Sequence, residues 1–251
     1  MLARQPAAVQ KTIEAQLGDG RLRSVDKDEE DGDVTYDVEI VRQGKTRSFT
    51  VGANGELLDT EVFLEELSAP VQAAIKKKVG GATLGEINKS VADGEISYYV
   101  ELIGGGKTRT FTLDAGGKLT DEEVFLAELP EDLKKAVNKE AGGGAIDEIT
   151  RSFEGGEVFY DAEVVTGSKT QTLTLDAKGA LLSRQEEVIL SAVPDAAQKQ
   201  IQALSTGGQL VTIAKVTEDD QISFDVDVRQ GGKVKSYSVD SEGKLIPSDA
   251  N

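Results

Sequence analysis

The residues of this chain able to do chemistry are mainly carboxylates. Pairs recur two residues apart at Asp37/Glu39, Asp161/Glu163 and Asp225/Asp227, and a dense acidic run spans Asp26-Lys27-Asp28-Glu29-Glu30-Asp31-Gly32-Asp33. Two carboxylates across a cleft, one of them in a dry pocket with a raised pKa, would hydrolyse glycosidic bonds. Here the pairs fall on the outward side of alternating strands, beside Thr and Lys, in three separate places. An active site has no need of several equivalent copies, so the repetition argues against catalysis. The acidic run could hold Ca²⁺, but it lacks the spacing of an EF-hand loop and falls where a hairpin turn is expected, so a solvated turn is the better reading.

Other chemistries are excluded by composition. The 251 residues include no Cys and no His, which removes disulfides, thiolate and imidazole metal sites, the Ser-His-Asp triad and the imidazole general base. Gly44-Lys45-Thr46 and Gly106-Lys107-Thr108 look like the end of a phosphate-binding loop. They lie in turns between strands, however, and lack the upstream Gly that such a loop requires. No catalytic residue, no cofactor and no metal is expected; the chain reads as not an enzyme.

Lys plus Arg number 28 against 45 Asp plus Glu, a net charge of −17. Such a chain repels phosphate backbones and anionic membrane surfaces, so no nucleic acid is expected as a partner, whereas basic partners suit the field. No apolar run nears the ~20 residues of a membrane-spanning helix, so no membrane insertion is expected. The first residues, Met1 to Pro6, carry no basic-then-apolar signal-peptide pattern.

The elements that must position these residues recur. Gly44-Lys45-Thr46-Arg47-Ser48-Phe49-Thr50 is nearly repeated as Gly106-Lys107-Thr108-Arg109-Thr110-Phe111-Thr112, and Lys45, Lys107, Lys169 and Lys233 step by 62, 62 and 64 residues. Tyr36, Tyr98, Tyr160 and Phe224 keep that register, as do Gly55, Gly117, Gly179 and Gly243. In each copy, apolar residues at helical spacing (Val9, Ile13, Leu17; Val71, Ile75, Val79) follow a Pro and stop at Gly, predicting helices near 7–17, 70–79, 131–141 and 195–205. A short β segment comes next. Then a strand alternates, with Val34, Tyr36, Val38 and Ile40 inward and Thr35, Asp37 and Glu39 outward. A third strand ends on an Asp-x-x-Gly turn. The fold class expected is α+β: four tandem repeats, each one helix packed on a small antiparallel sheet. The boundaries fall at 1–60, 61–122, 123–186 and 187–251. The apolar connectors at Phe63, Leu64, Phe125, Leu126, Ile189 and Leu190 are expected to pack neighbouring copies together.

The pattern Tyr98-x-Val100-Glu101, Gly106-Lys107, Phe111-Thr112-Leu113-Asp114-x-x-Gly117-Lys118-Leu119 resembles the PepSY-like, β-lactamase-inhibitor-like domain family. Residues 98–120 match it best, and the likeness extends over four copies. Gly52 departs from it where the other copies have Asp114, Asp176 and Asp240, as do Gln171 and Leu173. The resemblance implies an exported bacterial protein, periplasmic or extracellular. It further implies a protein partner, with inhibition of an extracytoplasmic enzyme such as a peptidase as one role. No catalytic residues carry over.

The outward sheet face is where a partner would meet this chain. The second and third copies place an aromatic there, Tyr99 and Phe159, flanked by Thr110, Thr112, Thr172 and Thr174. These six are the candidate partner-binding residues, since exposed rings among hydroxyls suit an interface. The alternative for the rings is burial between adjacent copies. The alternative function is a structural or assembly subunit of a bacterial envelope or surface layer, joined through exposed strand edges. Partner identity and oligomeric state stay open at this point.

Overall fold

The computed structural model describes residues 2–30, 33–92, 94–230 and 233–247. The chain divides into two compact units, Met1–Glu122 and Glu123–Asn251. The first contains α1 (Ala7–Leu17), β1 (Arg21–Glu30), β2 (Asp33–Arg42), β3 (Lys45–Gly52) and β4 (Leu57–Glu61), then α2 (Ala69–Val79), β5 (Thr83–Ala92), β6 (Glu95–Gly104), β7 (Lys107–Asp114) and β8 (Leu119–Glu123). The second contains α3 (Glu131–Ala141), β9 (Ala145–Glu154), β10 (Glu157–Thr166), β11 (Lys169–Asp176) and β12 (Leu181–Glu187). It continues with α4 (Asp195–Leu204), β13 (Gln209–Glu218), β14 (Gln221–Gln230), β15 (Lys233–Asp240) and β16 (Leu245–Ile246).

Within each unit the strands form one continuous antiparallel sheet in chain order, β1 to β8 in the first and β9 to β16 in the second. This corrects the expectation of four tandem repeats, each one helix on its own small sheet. The cause is a fourth strand in each copy, between the Gly turn and the apolar connector, that the sequence pattern does not show. Leu57–Glu61 is itself a strand that pairs β3 on one side (Thr50↔Asp59) and β5 on the other (Asp59↔Ser90). In the second unit β12 likewise pairs β11 and β13. A three-stranded sheet would leave a row of backbone donors and acceptors open at its edge. Pairing that edge with the next strand satisfies them and makes the sheet continuous.

Each helix covers its own buried cluster on that sheet. Under α1, Val9 and Ile13 meet Tyr36, Val38, Ile40, Phe49 and Val51, the inward set that strand alternation predicts. Tyr98, Tyr160 and Phe224 hold the same place under α2, α3 and α4. Leu64, Leu126 and Leu190 pack into these clusters, but Ile189 is 73% exposed.

The Asp-x-x-Gly turn has a double purpose. Gly117 has φ +84°, and a Cβ there would lie 2.9 Å from the Pro70 backbone at the start of α2, so only Gly lets the turn touch the helix. Asp114 Oδ1 accepts from the Gly116 and Lys118 N–H groups at 2.8 and 2.9 Å. Where the first turn has Gly52 instead, Asn54 Oδ1 accepts the Glu56 N–H at 2.9 Å and closes it another way.

Candidate interaction face

Antiparallel pairing decides which side chains share a face, because directly opposed residues point the same way. In the first unit the row Phe49↔Thr60↔Lys89↔Tyr98 lies on the helix side. The adjoining rows, Asp37↔Thr50↔Asp59↔Ser90↔Ser97 and Glu61↔Asn88↔Tyr99↔Thr112↔Asp121, lie on the face without helices. In the second unit Thr150↔Asp161↔Thr174↔Ser183 and Ser152↔Phe159↔Asp176 lie on its helix-free face.

Charge follows the same parity. Lys27, Arg47, Lys89 and Arg109 stand opposite Tyr36, Ile40, Tyr98 and Leu102, on the helix side. Asp26, Asp37, Glu39, Asp59, Glu61 and Glu101 take the other side. Arg23, the cation near Glu39, is tied to it at 3.4 Å. The helix-free face of the first unit is therefore strongly acidic.

The candidate residues sit on these faces. Tyr99 is 46% exposed, and Phe159 is half-buried. Thr112 lies directly across from Tyr99, and Thr110 across from Glu101; Thr172 and Thr174 lie across from Glu163 and Asp161. All four threonines are half-buried. Tyr99, Thr110 and Thr112 thus form one group in the first unit, and Phe159, Thr172 and Thr174 another in the second.

Each aromatic borders an open depression. The one in the first unit, 540 Å³, is lined by Asp37, Thr50, Asp59, Glu86, Asn88, Ser90 and Tyr99 among others. The one in the second, 410 Å³, is lined by Glu154, Phe159, Asp161, Thr174, Leu182, Ser183, Glu218 and Asp219 among others. In the first, the Thr50 hydroxyl donates to Asp37 Oδ1 at 2.9 Å while standing next to Asp59. Burial, with the Asp37 charge added and the Thr50 hydroxyl opposing, pushes the Asp59 carboxyl above its ordinary range. In the second, Thr174 donates to Asp161 Oδ1 at 2.6 Å.

The carboxylate pairs are mostly tied to neighbouring hydroxyls. Asp225 accepts from Ser238 at 2.6 Å, and Asp227 from Ser236 at 2.7 Å and Thr212 at 2.9 Å. They act as cross-strand fasteners. Among the described residues no group of three acidic side chains is placed to hold a metal. The acidic run belongs to strand β1 through Glu30 rather than to a turn, with Lys27 paired to Glu29 at 2.8 Å; Asp31 and Gly32 lie outside the described residues.

Two features went unread in the sequence. The first is the acidic Asp59, which falls in strand β4, ahead of the connector at Phe63. The second is a clamp on the helix side: Arg47 Nη2 donates to both Glu66 oxygens at 2.6 Å, and Glu66 Oε2 accepts the Phe63 N–H at 2.9 Å. The Phe63 ring lies 4.2 Å from Lys45 Nζ and 5.0 Å from the Arg47 guanidinium. Burial works against ionisation of Glu66, but the Phe63 N–H and Arg47 hold its carboxyl below the ordinary range. The signal was the paired change farther along the chain, where Gln171 and Ala192 replace the Arg and the Glu together.

No model of a known protein family matches the chain, and no curated protein matches it. Among solved structures it is similar to a DUF2874 family protein from Bacteroides uniformis, at 18% identity over 47% of this chain and 86% of that one, with a TM-score of 0.41. It is also similar to a suspected periplasmic protein from Bacteroides eggerthii, at 16% identity over 47% and 86%, TM-score 0.42. A BLIP-like protein from Bacteroides fragilis is similar at 16% identity over 49% and 92%, TM-score 0.39. No helix among the described residues is long and apolar enough to cross a membrane.

Proposed function

We propose that this chain is a non-enzymatic binding module that engages a protein partner through its helix-free sheet faces, in the periplasm or outside the cell. The observation that carries the reading is Tyr99, a large ring 46% exposed on a strand face of acids and hydroxyls. A ring at such a position gains little in the free protein and much when a partner covers it. Phe159, with Thr172 and Thr174, is assigned the same part in the second unit, and Thr110 and Thr112 flank Tyr99. Inhibition of an extracytoplasmic enzyme such as a peptidase is the finer role, and it is supported by the sequence likeness to PepSY-like, β-lactamase-inhibitor-like domains alone.

Assembly through sheet edges is the less favoured reading. Strand β1, at one end of the strand order, carries Asp26, Asp28 and Glu29, and β16, at the other, is two residues long and followed by Pro247. Charge, shortness and proline are the features that keep an edge from pairing.

The test is the double replacement Tyr99→Ser/Phe159→Ser. It should leave a cooperative thermal transition within a few degrees of the original, and it should abolish bands that the original chain captures from an extract of its native host. Unfolding by the double replacement would identify the rings as core and defeat the reading.

A further inference from the structure

We propose that each helix-free depression is a seat for a Lys or Arg side chain, so that the partner is a protein presenting an extended basic segment. The proposal rests on the reading of that face as the binding surface and adds the chemistry of what it binds.

Three observations support it. The first is charge separation by strand parity, which turns Asp26, Asp37, Glu39, Asp59, Glu61 and Glu101 toward the helix-free side and Lys27, Arg47, Lys89 and Arg109 toward the helices, leaving Arg21 and Arg23 at the start of β1 as the cations of the helix-free side, Arg23 tied to Glu39. The two depressions contain no Lys or Arg among their lining residues, whereas Arg42, Lys45 and Arg47 line a depression on the helix side of the first unit.

The second is an unmet demand for positive charge. Thr50 has one hydroxyl proton for two carboxylate neighbours, Asp37, which it meets at 2.9 Å, and Asp59, whose carboxyl it also helps to stabilise. Half-buried beside a like charge, Asp59 has only a share of that one proton to offset its burial. A cation between the two would satisfy both, and the Tyr99 ring beside them offers a π-face to an ammonium or guanidinium and an apolar wall to its stem.

The third is recurrence. Asp161, Thr174 and Ser183 stand 124 residues after Asp37, Thr50 and Asp59, so the second depression is built at the corresponding strand positions. Glu218 lies across from Ser183, and Phe159 supplies the ring. An inorganic divalent ion needs six to eight oxygens drawn close around it, and the described acids are not so grouped. A long side chain needs only separated acceptors along its path. Alternate side chains of an extended segment, about 6.6–6.8 Å apart, suit such a face.

The experiment uses the full chain and a fluorescent octapeptide of alternating Lys and Thr, with the Glu-Thr octapeptide as control, read by anisotropy at low and moderate salt. The quadruple variant Asp37→Asn/Asp59→Asn/Asp161→Asn/Glu218→Gln removes the seats. A comparison variant, Glu14→Gln/Glu131→Gln/Asp132→Asn/Asp195→Asn, removes the same number of charges from exposed helix positions. The seat variant should bind the Lys peptide at least about tenfold more weakly than the original chain, and the comparison variant within about twofold, with circular dichroism unchanged in both. Equal losses in the two variants would show a diffuse field only and overturn the proposal, as would absence of binding to the original chain. Displacement of the peptide by about 1 mM Ca²⁺, in the range of weak calcium modules, would make a metal ion the occupant and overturn it as well. If Tyr99→Ser/Phe159→Ser abolishes partner capture while the seat variant captures normally, the binding face stands and the basic occupant falls.

Discussion

Asp59→Asn should stabilise the free protein at neutral pH, although it alters the face proposed to be functional. Asp37 on β2 and Asp59 on β4 flank the Thr50 hydroxyl, two strand spacings apart. Their backbones are then roughly 9–10 Å apart, and side chains turned toward the same hydroxyl bring the charges to about 6–8 Å. At an effective dielectric of about 40–80 for a half-exposed face, the repulsion is about 0.5–1.4 kcal/mol. Removing the charge should raise stability by about that amount, a shift of a few degrees in Tm for a chain of this length. The sign of the pH dependence follows from the raised carboxyl. Ionisation favours the unfolded chain, so the penalty is complete above the folded-state pKa and shrinks as pH falls through it. Below the ordinary value of 3.8 it is gone. Asp59→Asn should therefore melt above the original chain at pH 7 and level with it near pH 3. Salt at 1 M should remove the repulsive share and leave the share due to burial. Thermal scans of both chains across pH 3–7 measure this. A variant that is less stable at pH 7, or a difference that ignores pH, would refute the reasoning.

The Phe224 ring is 2% exposed beneath α4, so Phe224→Ala should cost about 3–5 kcal/mol in urea unfolding; a cost under about 1 kcal/mol would place it outside the core. The Arg47–Glu66 contact joins one guanidinium nitrogen to both carboxylate oxygens and is partly solvated, so a double-mutant cycle with Arg47→Gln and Glu66→Ala should show a coupling of about 0.5–1 kcal/mol. Because the Glu66 carboxyl is held low, that coupling should be complete above its ordinary value of 4.5 and vanish as pH falls through the folded-state pKa. Gly117→Ala should cost more than about 1 kcal/mol, since its φ is +84° and its Cβ would press on the Pro70 backbone.

Local patterns were legible wherever one face is buried. Val34, Tyr36, Val38 and Ile40 show by period-two alternation which side the helix takes, and Val9 and Ile13 with Gly18 mark α1. The segments that join the sheet were not legible. Asp59-Thr60-Glu61 is acidic and poor in β-formers, and it is a strand because β3 and β5 on either side pair with it. The same tertiary pairing carries β1 on through Lys27-Asp28-Glu29-Glu30, where composition suggested a turn. Tyr99 and Phe159 could be picked out by parity alone. Of the carboxylates around them, Asp37 and Asp161 could be picked out the same way, whereas Asp59 and Glu86 could not, because Asp59 comes from one of those hidden strands and Glu86 from the irregular stretch of β5 between Leu84 and Ile87.

Photo-crosslinking in the native host shows which face of the chain meets a partner. Tyr99→p-benzoylphenylalanine places the probe on the helix-free face, and Lys135→p-benzoylphenylalanine places it on an exposed helix position whose side chain is 74% accessible. Position 99 should give a discrete adduct with a protein, lost when Asp37 and Asp59 are both changed to Asn, and position 135 should give none. Adducts from position 135 with none from position 99 would contradict binding through the helix-free face.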